Sequence, residues 1–336
     1  MFKVVLTVAC LVLSAAPLRA GDLDDLKSAN AAAEQGNVND ALRLFTQAIA
    51  AGDLSPADQF TARKNRGDGY VARSMIDDAF MRLDQARTAR ADAIADYTAA
   101  IALKPDDAKV FIGRGQAHHL NGEYDLAIAD FDAAQKLDAT VLTGVQRAAS
   151  LRAKGDYEGA VAGYSAALTA DLKDSGLDAW DVYNERGTTY FLAERFDAAA
   201  ADFEKALTAG SASHNGDVLW LPYQVAWLHL ARARAGQDDA AELARNAANI
   251  DVKQWPGTLV AYFLGQVTPD QLSPPSSHGQ MGHGRECNLS FFVAEQALIK
   301  RDSAEAGRQF QRALGVCNIH TTIYLAAGAE LKRLKK

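Results

Sequence analysis

Residues 109–138, KVFIGRGQAHHLNGEYDLAIADFDAAQKLD, constrain the chain more than any other stretch, because their small and aromatic residues fall at a spacing that suits two closely crossing helices. Phe111, Gly115 and His118 share one helical face, Gly122 supplies a turn, and Ala127, Phe131 and Ala134 share a face on a second helix. The missing side chains at Gly115 and Ala127 let the helices approach, and Phe111, Tyr124 and Phe131 fill the space on either side. The same order of glycine, alanine, aromatic and alanine recurs along the chain. Each unit must then bury its faces against its neighbours, which gives an array growing in one dimension.

The first unit, 22–55, carries Gly36, Ala41, Phe45 and Ala48, with a polar, alanine-rich first helix suited to an exposed end. The second starts at Asn65–Tyr70 and ends with Ala93, Tyr97, Ala100 and Pro105. Here 26 residues separate Gly67 from Ala93, where 12 separate Gly115 from Ala127. The excess is about four helical turns. Apolar residues continue at helical spacing through Ile76, Phe80, Leu83 and Ala86, so the spacing predicts one long helix over about 75–103 that overhangs its neighbours.

The fourth unit, 141–171, carries Gly155, Tyr157, Ala160, Tyr164 and Ala167, and residues 172–177 read as an inserted loop. The fifth, 180–210, carries Phe196, Ala199, Phe203 and Ala206. After a small, polar loop at 210–217, a sixth pair keeps Gly236, Ala241 and Ala248 but places Arg245 where the aromatic belongs. Trp255-Pro256-Gly257 breaks it, and 259–265 reads as a short apolar helix. A seventh hairpin spans 287–317 with Phe291, Phe292, Ala306, Phe310 and Ala313, and a last helix covers about 321–334. The expected organisation is a signal peptide at 1–20, an array at 21–210, a degenerate helical repeat at 211–265, a flexible Pro/Ser/Gly linker at 266–286, and a disulfide-linked hairpin with a capping helix at 287–336. The fold class is all-α, a solenoid of six to seven helical hairpins.

Residues 1–20 read as a secretory signal: Lys3, then an apolar run from Val4 to Ala16, then Leu18-Arg19-Ala20. Cys10 lies inside the apolar run instead of closing it, so lipidation and membrane anchoring are not expected. The net charge of −7 and the lack of a Lys/Arg block point away from nucleic acid.

Cys287 and Cys317 are the cysteines left after such a signal, and the register puts them at ends that an antiparallel hairpin brings together. A disulfide is expected. Arg66, Arg114 and Arg186 each precede the repeat glycine, and Asp96, Asp130 and Asp202 each precede the aromatic of the second helix, so structural ion pairs are expected. The fourth unit has Arg147 but Gly163 opposite, which leaves its arginine unpaired in this scheme. His278, His283 and Cys287 do not make a convincing metal set, and His118 and His119 diverge by about 100° on a helix. No H-E-x-x-H, G-x-S-x-G or glycine-rich phosphate loop occurs. Neither metal, cofactor nor catalysis is expected.

The repeat resembles the tetratricopeptide repeat, whose period is about 34 residues. That resemblance implies a concave groove lined by the first helix of each unit: Lys64, Asn65 and Asp68, then Ile112, Gln116 and His119, then Asn184, Glu185, Thr188 and Phe191. Such a mixture of amide, carboxylate and aromatic groups suits an extended peptide or a partner helix. The last third, with Trp255-Pro256, the cysteine-bounded hairpin and the closing AELKRL, is similar to NlpI-like periplasmic proteins. That likeness implies a non-catalytic adaptor in the periplasm of a Gram-negative cell, gathering peptidoglycan hydrolases or a protease, often as a homodimer. A cell-wall glycan binder or murein-processing enzyme, and a purely self-associating structural protein, stay open as alternatives.

Overall fold

The computed structural model describes residues 20–139, 143–169, 178–213, 220–272 and 280–335, and every regular element among them is a helix. All but the last residue of the signal read at 1–20, the whole of the inserted loop at 172–177, and His278 lie outside the described residues. Five hairpins come first: α1 (Ala20–Glu34) with α2 (Val38–Ala51), α3 (Pro56–Ala79) with α4 (Leu83–Leu103), α5 (Ala108–Leu120) with α6 (Tyr124–Leu137), α7 (Gly144–Lys154) with α8 (Tyr157–Thr169), and α9 (Ala179–Leu192) with α10 (Phe196–Ser213). The chain is an all-α solenoid.

The repeat residues are there for packing. Phe45, Tyr97, Phe131, Tyr164 and Phe203 are each buried to within 1% exposure. A Cβ built on Gly67, Gly115 or Gly187 would come within 2.9, 2.9 and 2.8 Å of the rings of Tyr97, Phe131 and Phe203, so only glycine admits the ring there. In the fourth hairpin the small residue changes sides: Ala148 stands in the glycine register, and a Cβ on Gly163 of α8 would meet it at 2.9 Å.

The arginine–aspartate pairs form as expected. Arg66, Arg114 and Arg186 each grip their carboxylate through two nitrogens, at 2.6 and 2.8 Å to Asp96, 2.9 and 2.7 Å to Asp130, and 2.6 and 2.8 Å to Asp202. A third nitrogen of each reaches back to a hydroxyl on the preceding hairpin: Thr46, Thr98 and Ser165 respectively. Each arginine therefore ties two helices of its own hairpin to the one before. Arg147 is not unpaired, contrary to expectation: it donates at 2.7 Å to Asp132, which occupies on α6 the position that Thr98 holds on α4. The acid has moved across the interface, as the small residue has.

The single long helix expected over 75–103 is replaced by a taller hairpin. The chain turns at Phe80-Met81-Arg82, with Met81 in the left-handed region at φ 56°, so both arms are long, 24 residues in α3 and 21 in α4. Fourteen extra residues make about two turns on each arm, so the apolar period runs straight through the turn and hides it. The turn is braced by Arg82, which pairs with Asp77 at 2.7 Å and lies over the Phe80 ring.

The last third is built differently. It comprises α11 (Leu221–Arg234), α12 (Ala240–Ala247), α13 (Gly257–Phe263), α14 (Pro269–Leu272), α15 (Gln280–Ile299), α16 (Ser303–Val316) and α17 (Thr322–Arg333). Two expectations are corrected here. The loop at 210–217 is helix as far as Ser213, and the 266–286 linker holds α14 and the start of α15, with 273–279 outside the described residues. On α12 the buried residues are Leu243 and Ala247, while Ala241 and Ala248 are exposed, because α12 packs only its short apolar stripe on α11.

Trp227 on α11 centres this region, with its ring 5.2–5.7 Å from the rings of Phe191, Phe203, Phe291 and Phe292. Cys287 and Cys317 are joined by a disulfide between α15 and the end of α16. Beyond it the chain folds back along the array. Arg333 of α17 pairs with Glu194 in the α9–α10 turn at 2.8 Å and donates to the Leu192 carbonyl. At the other end, His320 Nε2 lies 2.7 Å from Arg90 of α4 and 3.6 Å from Asp78 of α3. The terminal segment thus bridges the fifth hairpin to the tall second one.

Candidate functional site: the inner face of the array

Helix α3 packs on α5 and α7 on α9, so the first helices of successive hairpins form one inner face. A cleft of about 280 Å³ opens on it, walled by Val71 and Met75 of α3, Leu120 of α5 and Ala149 of α7, with Gln116, His119 and Gln146 at its polar side. The overhang of α3 supplies one wall: Met75 lies in the stretch that a repeat of ordinary length would not have. Its side chain is 57% exposed.

Of the sequence-derived groove residues, Ile112 is half-buried and Gln116 exposed. His119 is half-buried beside Ser150, Nδ1 to Oγ 2.9 Å, with its ring against Tyr124. The Ser150 hydroxyl donates to the Gln146 carbonyl, which leaves His119 Nδ1–H as donor to Oγ. Burial, aided by the Arg152 cation, pushes the His119 pKa down, so this imidazole is neutral near pH 7. His118 points elsewhere and meets Glu123 at 2.5 Å.

The second-hairpin residues are tied up. Asn65 donates to Asn30 of α1 at 2.8 Å, and Asp68 takes both Lys64 at 2.7 Å and the Tyr97 hydroxyl at 2.6 Å. Burial and the Asp68 carboxylate raise the Tyr97 phenol, which therefore stays a donor. In the fifth hairpin Glu185 receives Arg152 at 2.5 Å and the Tyr164 hydroxyl at 3.3 Å.

Two expected groove residues are not on an open surface. Thr188 is buried under Arg152, which donates to its hydroxyl at 3.0 Å, and Phe191 is 1% exposed beneath Trp227 and Phe196. Arg152 reaches over Thr188 from α7, and Trp227 of the last third covers Phe191 from the inside. In exchange, the structure adds Gln146, Ala149 and Ser150 of α7. Ala149 stands 33 residues after Gln116, as Ala148 does after Gly115, so the repeat register signals Ala149, whereas Gln146 and Ser150 fall in the registers of Gly113 and Ala117 and are not signalled by it. Two polar atoms on the inner face are left without partners: Gln146 Oε1, at the cleft, and Asn184 Oδ1, on α9 beyond it, are buried and accept no hydrogen bond.

Among the described residues, no group of three His, Cys, Asp or Glu is placed to hold a metal, and no helix is long and apolar enough to cross a membrane.

A solenoid of this geometry, with its glycine–aromatic crossings, defines a class: the chain carries tetratricopeptide repeats, whose family model matches residues 82–140 and 145–214. The chain is 25% identical over 185 residues to the lipoprotein NlpI homolog of Haemophilus influenzae, a match covering 54% of this chain and 55% of that protein. The likeness thus spans about half the length of that relative. In fold it resembles a tetratricopeptide repeat protein from Parabacteroides merdae, at TM-score 0.56 and 12% identity over 95% of this chain and all of that one. It also resembles the apo form of the quorum sensor NprR from B. thuringiensis, at TM-score 0.58 and 12% identity over 88% of this chain and 87% of that one. The apo form of RapI gives TM-score 0.53 and 13% identity over 88% of this chain and 97% of that one.

Proposed function

We propose that this protein is a non-catalytic scaffold that holds a peptide segment of a partner protein in the cleft between α3, α5 and α7. The observation that carries this reading is the pairing of an apolar cleft with the buried, unpartnered amide oxygen of Gln146 on its wall. Buried acceptors without donors cost free energy in the unliganded protein, and an extended segment arriving with backbone N–H groups satisfies them. The bound segment places one apolar side chain against Met75 and Leu120.

The likeness to the NlpI homolog supports a place in the cell envelope, with peptidoglycan hydrolases or a protease as partners. The disulfide and the apolar run at 4–16 agree with export to an oxidising periplasm. Self-association as a homodimer is a second use of the same adaptor, favoured by the exposed apolar tip at Phe80.

A photo-crosslinking amino acid at Gln116, on the cleft, tests the function against the same group at Leu137, an exposed residue on α6. The reading expects discrete adducts with envelope proteins from Gln116 alone. Equal adducts from both positions, or adducts only with a second copy, overturn it.

A further inference from the structure

A second cleft lies at the other end of the inner face, where α17 crosses the turn of the fourth hairpin. It has a volume of about 680 Å³, and five cationic side chains line it: Arg152, Lys154, Lys332, Arg333 and Lys335. The one acid in its lining, Glu194, is already bound to Arg333. This concentration of positive charge stands out in a chain of net charge −7.

Three of the cations are already engaged: Arg152 by Glu185, Lys154 by Asp125, and Arg333 by Glu194 within the cleft and by Glu330. Lys332 and Lys335 are exposed and have no ion pair among the described residues. Arg152 adds an independent sign of an absent ligand. Its side chain is 8% exposed, and its Nε–H is buried with no acceptor. A guanidinium that spends one nitrogen on Glu185 and Thr188 and leaves Nε unpaired, in a cleft ringed with lysines, is short of an anionic oxygen.

We propose that this cleft binds an acidic peptide segment, with carboxylates at Lys332, Lys335 and Arg152 Nε and an apolar side chain on the floor between them. The floor is what selects a peptide over a small inorganic anion. Leu314, Leu325 and Tyr157 form it, and Gly155 and Gly328 leave it low: a Cβ on Gly155 would meet nothing within 4 Å, and one on Gly328 only Leu314 at 3.8 Å. The cleft exists only while α17 is docked, since one wall is Leu325, Lys332 and Lys335 and the other is the α7–α8 turn.

The test is fluorescence anisotropy on the full-length protein. The probe is a fluorescein-labelled peptide of glutamate and alanine with one central leucine, compared with its glutamine counterpart. The glutamate peptide is expected to bind at least about tenfold more tightly, with affinity falling as salt rises. Lys332→Glu/Lys335→Glu, at two exposed positions that leave the fold intact by circular dichroism, is expected to weaken it at least about tenfold. Equal binding of the glutamine peptide, or indifference to the double variant, overturns the proposal. So does displacement by tripolyphosphate together with equal binding of a peptide whose leucine is replaced by serine. Because Gln116 crosslinking reads the other cleft, failure of one reading leaves the other standing.

Discussion

Residues 21–210 and the last third solve the same problem, burying one face of each helix, in two ways. The array does it with small separate cores: one around Phe45, one around Tyr97, one around Tyr164, each shared by adjacent hairpins. The last third merges everything from Phe191 to Ala327 into one cluster around Trp227. The array uses one recipe repeatedly, glycine against aromatic and arginine across to aspartate and back to a hydroxyl. The last third uses a disulfide, the Trp227 ring set edge-on or tilted among Phe191, Phe203, Phe291 and Phe292, and Glu295 and Glu330 buried around a shared Arg234, at 2.6 and 3.3 Å. The lesson is one of coupling. Damage in the array should stay local, because each interface has only its neighbours to lean on, whereas damage in the last third should spread.

The sharpest way to break the comparison is a pair of core truncations. Trp227→Ala and Phe131→Ala should each cost about 3–5 kcal/mol. Hydrogen exchange is expected to lose protection across α9 to α17 in the first and only across α5 to α8 in the second. Equal spread in both would erase the distinction.

Next come the arginines. Arg186→Ala strands Asp202, whose side chain is 3% exposed, and should cost about 3 kcal/mol or more in urea denaturation. Arg147→Ala breaks a pair in which both side chains are at least 40% exposed and should cost below about 1 kcal/mol. Similar costs would show that the array's ion pairs are not graded by burial.

Cys287→Ser/Cys317→Ser opens a loop of 30 residues and should lower stability by about 3 kcal/mol, felt across the merged core of α9 to α17 and not beyond it. Loss of protection in α5 or α7 at once would mean that the array depends on the cap throughout.

The last effect is a slope with pH. Burial and the adjacent Glu330 carboxylate raise Glu295 to about 8, against 4.5 for the free side chain. The folded protein therefore holds a proton that the unfolded chain releases. The stability from this group is full below pH 4.5 and is lost as pH rises towards 8, by at most about 1.4 kcal/mol per pH unit. Glu295→Gln should flatten thermal stability over that window, and an unchanged slope would contradict the assignment.

The array was legible in the sequence because packing there depends on residue size at fixed spacing, and Gly115 with Phe131 states that directly. Its ion pairs were legible for the same reason, except at Arg147, where the acid sits one hairpin earlier. The turn at Met81 was hidden because its insertion preserves the helical period on both arms. Thr188 and Phe191 belong to the groove by register. What covers them comes from Arg152 on α7 and Trp227 on α11, each 36 residues away in sequence, and no local pattern reports those contacts. The basic cleft was equally invisible, being made of Lys332 and Lys335 on one side and Arg152 on the other.

The central claim is that the terminal segment closes the array by bringing His320 onto Arg90 and Asp78. Burial and the Arg90 cation push His320 down to about 4, so it meets Arg90 as a neutral acceptor across the working range of pH. Double electron–electron resonance between nitroxides at Phe80→Cys and Ile319→Cys, both exposed, reads this contact directly. The account predicts a single narrow distance distribution that broadens on His320→Ala. A broad distribution in the otherwise unaltered protein would contradict it.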